Sequence, residues 1–248
     1  MYFNGAIKFK GTLSSFYGLT VTEPPSIEHS KIITEEYSIP GKDGTLYGQD
    51  FYRSDAYITV KMELVKPNYE SGYTSASYQN ARRNIWEWLQ GTGNLEIGDV
   101  NDSYYEVKKV EIITDERTLV NYGKLEVKFT VYPCEFLKTP TKSNYTINPS
   151  TTDTITIHTD KSDPIYTIGN TGTSAGTVTI NGTTITIASI QLVTIDVRRR
   201  IAYYGSADKS NVVSGDYAKM ALKKGANTIT TGANVTCVIV SSRDGYII

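Results

Sequence analysis

Residues 172–176 read Gly-Thr-Ser-Ala-Gly, the G-x-S-x-G pattern that exposes a nucleophilic serine on a strand-to-helix turn. Used that way, Ser174 would attack an acyl carbon with a histidine as its base. That chemistry needs a buried strand before the serine, a helix after it and a histidine later in the chain. The residues after Ser174 instead alternate with period two, which is the signature of a strand. The two histidines, His29 and His158, both precede Ser174, and His158 sits in the strand-like TITIHTD. Ser174 therefore reads as a turn residue, and no catalytic residue is assigned: the chain is not expected to be an enzyme.

Metal and cofactor chemistry finds as little support. Two histidines and the distant Cys134 and Cys237 offer no zinc spacing. Each cysteine lies in apolar, strand-like sequence and reads as a free, buried thiol, with a disulfide between them as the alternative. DVNDS (99–103) lacks the glycine and distal glutamate of a calcium loop. GKDG (41–44) lacks the glycine and the Ser or Thr that frame a phosphate-binding lysine. Nothing marks a carboxylate pair for glycoside hydrolysis. No metal and no cofactor are expected.

Two stretches suit recognition better than catalysis. IPGKDGTLYGQD (39–50) is glycine-rich and commits its backbone to tight turns. It reads as a long hairpin or loop, with an arm crossing onto a neighbouring subunit as the alternative. Its interface candidates are Ile39, Pro40, Gly41, Lys42, Asp43, Gly44, Thr45, Leu46, Tyr47 and Gly48. The second stretch is TIDVRRRIAYYG. On a strand, Arg198, Arg199 and Arg200 alternate between faces, so they cannot line one groove. A solvated or interface position fits them better than nucleic-acid contact. Arg198, Arg200, Tyr203 and Tyr204 complete the interface candidates.

The elements that must carry these segments are mostly strands. KLEVKFTVY (124–132) puts Leu125, Val127, Phe129 and Val131 on one face. YEVKKVEII (105–113) and YITVKMELV (57–65) read the same way. Between these last two, SASYQNARRNIWEWLQG (75–91) places Tyr78, Ala81, Ile85, Trp88 and Leu89 on one helical stripe, suited to docking on a sheet. Ser75 or Ser77 can cap its start and Gly91 its end. Farther on, TVTI-NG-TTITI (177–187) predicts a two-residue type I′ hairpin pairing Ile180 with Thr183 and Val178 with Ile185. QLVTIDV (191–197) and VTCVIVSS (235–242) continue the strand signals, and KKGANTITT (223–231) reads as a turn entering a strand.

A chain of 248 residues with 25 basic and 26 acidic side chains carries no global pull toward nucleic acid or an anionic membrane. Its 39% apolar and 21% charged content is that of a folded protein. No run approaches a membrane span, and the N-terminus lacks a signal pattern, so synthesis in the cytoplasm is expected. Tyrosine is plentiful, 19 against 6 Phe and 2 Trp, which suits sheets and surfaces that meet partners. LKTPTKSNYTINPS (137–150) marks a linker or domain edge. The expected fold is mainly β, with one helix in an N-terminal domain over 1–137, a linker over 138–145 and a C-terminal β-sandwich over 146–248.

In order and spacing these features resemble the distal tail proteins of long-tailed siphophages, the Dit family. The resemblance rests on AIKFKG, the IPGKDG segment, one helix before paired strands that close with FTVYPCEF (129–136), and NTGTSAG (170–176) opening a β-rich second half with KKGANTIT (223–230) near its end. It spans essentially the whole chain. It implies an N-terminal β-sandwich with an extended arm or belt that closes a ring, typically a hexamer, and a galectin-like C-terminal sandwich outside. Such a ring joins the tail tube to the tail-associated lysin or fibre protein and, in many phages, to receptor-binding proteins. DNA only passes through its lumen, the location is the virion tail tip, and no membrane is involved. The resemblance carries no catalytic residues. The competing reading is a carbohydrate-binding sandwich that recognises host cell-wall saccharide.

Overall fold

The structure, a computed structural model, describes residues 5–34, 36–38, 40, 43–47, 52–65, 75–98, 102–119 and 122–248. It is mainly β, with a single α-helix among the described residues. Contacts divide the chain into two compact units: Met1–Glu135 with Ile247–Ile248, and Phe136–Tyr246.

The first unit contains β1 (Ile7–Phe9), β2 (Thr12–Leu13), β3 (Leu19–Val21), β4 (Ser26–Glu28), β5 (Ile32–Ile33), β6 (Glu36–Ser38), β7 (Thr45–Tyr47), β8 (Tyr52–Arg53), β9 (Ala56–Val65), α1 (Ser75–Leu89), β10 (Gly93–Ile97), β11 (Ser103–Leu119) and β12 (Tyr122–Leu137). Its main sheet runs β2-β1-β10-β11-β12-β9, and both β3 and β4 pair with β9. The Val21 N–H reaches the Gly5 carbonyl at 2.7 Å, so the ends of this strand order approach each other. The expected strands over 57–65, 105–113 and 124–132 are β9, β11 and β12, the last two longer than their alternation suggested.

Alternation along β9 and β12 builds the core. Leu125, Val127, Phe129 and Val131 lie opposite Met62, Val60, Ile58 and Ala56, and all eight are buried. On the outward face Lys61 opposes Glu126 and Glu63 opposes Lys124, pairings of opposite charge that favour this register. Helix α1 buries the stripe read from the sequence: Tyr78, Ile85, Trp88 and Leu89 join the core, with Ala81 packed against it. Gly91, at φ +82°, stops the helix two residues after Leu89. The Lys10 ammonium then donates to the Trp88 and Gln90 carbonyls, satisfying acceptors that the helix end leaves open. Trp88 Nε1 donates to the Phe9 carbonyl at 3.1 Å, and the Phe9 ring meets Trp88 and Phe129 edge to face.

The second unit contains β13 (Ser143–Ile147), β14 (Thr152–Ile157), β15 (Lys161–Ser162), β16 (Ile165–Asn170), β17 (Gly176–Ile180), β18 (Thr183–Ile187), β19 (Gln191–Asp196), β20 (Ile201–Tyr204), β21 (Ala207–Asp208), β22 (Val213–Ser214), β23 (Gly225–Thr231), β24 (Val235–Ser241) and all but the last residue of β25 (Asp244–Ile247). A six-stranded sheet runs β13-β24-β16-β19-β20-β21 and a five-stranded sheet runs β14-β23-β17-β18-β22. Their inward residues, among them Tyr166, Ile168, Val193 and Ile195 from one and Val178, Ile180, Ile185 and Ile187 from the other, form one core. The Asn-Gly hairpin has its expected register: Ile180 pairs with Thr183 and Val178 with Ile185. Asn181 and Gly182 take φ values of 50° and 84°, as a type I′ turn demands. Residues 141–142 are pinned rather than loose, because the Thr141 N–H donates to Asp244 Oδ2 and the Lys142 N–H to Ser242 Oγ.

Candidate assembly surface

Between β4 and β9 the chain leaves the main sheet as a two-stranded ribbon. Ile32 pairs with Arg53 and Ile33 with Tyr52 at its root, and farther out Glu36, Tyr37 and Ser38 pair with Tyr47, Leu46 and Thr45. Neither ladder joins another sheet among the described residues. The reversal includes Pro40, Asp43 and Gly44, and the φ of +91° at Gly44 is one that glycine adopts without a steric penalty. At the root, the Ser54 N–H donates to the Lys31 carbonyl at 2.8 Å and the Lys31 N–H to Ser54 Oγ at 2.9 Å.

The ribbon carries exposed apolar side chains: Ile32 is 56% exposed, Tyr37 53% and Tyr52 55%. An isolated pair of short strands is marginally stable in water, and exposed apolar surface on such an element favours a partner. The sequence-derived candidates over 39–48 describe its outer half. Pro40, Asp43 and Gly44 lie in the reversal and Thr45, Leu46 and Tyr47 in β7, whereas Ile39, Gly41, Lys42 and Gly48 lie outside the described residues. Sequence reasoning missed the root residues Ile32, Ile33 and Tyr52. Their only local signal is adjacency: Ile32 and Ile33 are neighbours, so on a strand one of them must face outward.

The second group of candidates belongs to the other unit and corrects the strand reading of the arginines. Residues 197–200 form the turn between β19 and β20, so Arg198, Arg199 and Arg200 do not alternate across a sheet. The cause is Asp196, which is buried and accepts from the Arg199 N–H and from Arg243 Nη1, both at 3.1 Å. That local bond folds the chain back one residue after the strand ends. Arg198 lies over the Phe136 ring at 4.8 Å and Arg200 is exposed with φ +56°. Tyr203 pairs with Thr194, and Tyr204 at the end of β20 is 51% exposed. Ile190, Leu192 and Ile201 add exposed aliphatic surface to this region, which the sequence reading did not single out.

No arrangement suited to catalysis accompanies these surfaces among the described residues. Ser174 is exposed and precedes strand β17 rather than a helix. Its carbonyl accepts from Asn170 Nδ2 at 2.9 Å, and the same amide reaches the Ile187 and Ala188 carbonyls, so Asn170 ties the loop to the hairpin. His29 and His158 are exposed. Cys134 and Cys237 form no disulfide and are fully buried, and burial pushes the Cys237 thiol up to about 12, which removes its nucleophilic form at neutral pH. Among the described residues no group of three His, Cys, Asp or Glu side chains could hold a metal ion. Among the described residues no helix is long and apolar enough to cross a membrane.

These features define a mainly β chain of two units whose first unit presents a ribbon that pairs with no other sheet among the described residues. Among solved structures it is similar to the SPP1 Dit protein (gp 19.1), described as a paradigm of the hub adsorption apparatus in phages infecting Gram-positive bacteria. That superposition has a TM-score of 0.68 at 11% identity and covers 94% of this chain and 96% of the SPP1 protein. The chain has the Dit fold, as the order of its sequence features implied. A baseplate chain of phage p2, in its activated conformation with strontium, aligns at a TM-score of 0.44 and 10% identity over 90% of each chain, a likeness too distant to carry an argument. No family model matches the sequence, and no curated protein matches it.

Proposed function

We propose that this protein is a structural hub of a phage tail tip, assembling with copies of itself into a ring, by analogy a hexamer. The observation that carries the reading is the end-to-end superposition on the SPP1 hub protein, whose own length is covered almost completely. The ribbon supports it, because a ring built from one chain needs two different patches that meet head to tail, and a projecting element supplies one of them. In this reading the ribbon, with Ile32, Tyr37 and Tyr52, docks on the next subunit. The ring joins the tail tube to the tail-associated or fibre protein, and the second unit faces outward toward receptor-binding proteins. Nothing in the role requires catalysis.

Light scattering coupled to gel filtration tests the assembly. A mass six times that of the chain is expected, and a strict monomer at high concentration overturns the ring. The saccharide reading draws less support. The outer face of the five-stranded sheet is tiled by threonines, including Thr152, Thr154, Thr179, Thr184, Thr228 and Thr230, with no aromatic platform among them on which a sugar ring could stack.

A further inference from the structure

Ser30 links the root of the ribbon to Ile248. Ser30, the second residue after β4, donates both its N–H, at 3.0 Å, and its hydroxyl to the main-chain oxygen of Ile248. The Ser30 hydroxyl oxygen in turn accepts from Arg53 Nη1, on the returning strand, at 3.3 Å. Ile248 is itself tied to the sheet: its N–H donates to the Pro133 carbonyl on β12 at 3.5 Å, and its side chain packs against the first core. A continuous set of bonds therefore runs from β12 through Ile248 and Ser30 to both strands of the ribbon root. Beyond this root neither ladder pairs with another sheet among the described residues.

We propose that Ile247–Ile248 act as a strap that holds the ribbon in its docking orientation. The consequence is entropic. A partner that receives an arm already fixed in direction need not order it on binding, so the strap contributes to assembly without touching the neighbouring subunit. The link to assembly rests on the reading of the ribbon as an interface, whereas the strap itself does not.

Hydrogen exchange on the 248-residue chain and on a chain lacking Ile247 and Ile248 separates the two. We expect peptides covering 29–34 and 52–55 to exchange about tenfold faster in the shortened chain, with β9 and the centre of β12 unchanged, because an amide released from a structural bond exchanges from the open state. Unchanged exchange at 29–34 and 52–55 overturns the strap. If the truncation also accelerates β9, Ser30→Ala decides: it keeps the N–H bond but loses the hydroxyl and its Arg53 link. A several-fold acceleration at the root supports the strap, and none overturns it. Oligomeric mass is then read on the same variants. Weaker assembly with a loosened root supports both ideas, whereas a loosened root with unaltered mass leaves the strap standing and overturns its contribution to assembly.

Discussion

The hydroxyl of Tyr78 fills the space that a side chain at Gly123 would need: a Cβ built there falls 2.0 Å from the Tyr78 oxygen and 2.8 Å from the Glu116 carbonyl. Helix α1 thus seats on the β11–β12 ribbon only because position 123 has no side chain. Close by, Arg82 Nε and Trp86 Nε1 both donate to Asp115 Oδ2, at 2.7 and 2.8 Å, and hold the same helix to β11.

Gly123→Ala is expected to destabilise the first unit by about 2 kcal/mol, in the range for overpacking a fitted core site. Urea denaturation followed by tryptophan fluorescence reads it, since Trp86 and Trp88 both lie on the helix. A midpoint equal to that of the parent chain would show that Tyr78 moves aside freely.

In the second unit, Asp196 is a buried carboxylate whose charged partner Arg243 is one-quarter exposed. Arg243→Ala leaves that carboxylate with backbone and distant guanidinium partners only. The expected cost is about 3 kcal/mol, the scale for stranding one member of a buried pair. The first unit should keep its own transition, and a loss below about 0.5 kcal/mol would mean that Arg199 substitutes for Arg243.

The Cys237 thiol is held protonated by burial, with its ordinary value of 9.0 pushed up to about 12. Because the folded state binds this proton more tightly than the unfolded chain, its contribution to stability is complete below pH 9. It is lost as pH rises toward 12, at up to about 1.4 kcal/mol per pH unit. Cys237→Ala should flatten that alkaline slope. At pH 8 a disulfide exchange reagent should titrate no thiol in the native protein and both once it is denatured. Rapid native labelling at Cys237 would contradict the burial.

If the ribbon docks on a neighbouring copy, the double variant Tyr37→Ser, Tyr52→Ser should reduce assembly at least tenfold. Neither ring is buried within the chain, so the melting temperature of the subunit should change little. Deleting 39–50 should weaken assembly in the same way. Unchanged mass in sedimentation velocity for both variants would exclude the ribbon as an assembly element.

Several of these relationships were legible in the sequence because they depend on near neighbours. Alternation with period two placed Leu125, Val127, Phe129 and Val131 on the buried face of β12. A helical stripe picked out Tyr78, Ile85, Trp88 and Leu89. The demand of a two-residue turn for positive φ set the register around Asn181-Gly182. Proline and glycine marked a reversal in which Pro40 and Gly44 lie. The same local logic misread Arg198–Arg200, since the strand pattern before them does not reveal that Asp196 turns inward to meet Arg243, 47 residues later.

By itself, then, the sequence determined the long strands, the helix and the Asn-Gly turn, and which face of each is apolar, because steric and hydrophobic periodicity act over a few residues. Only the tertiary structure decided which faces remain uncovered and what holds them. The exposed Ile32, the seat of Tyr78 on Gly123, and the bond from Ser30 to Ile248 across 218 positions depend on where distant segments come to rest. Contacts between segments far apart in the chain are properties of that arrangement, which no pattern over a few residues encodes.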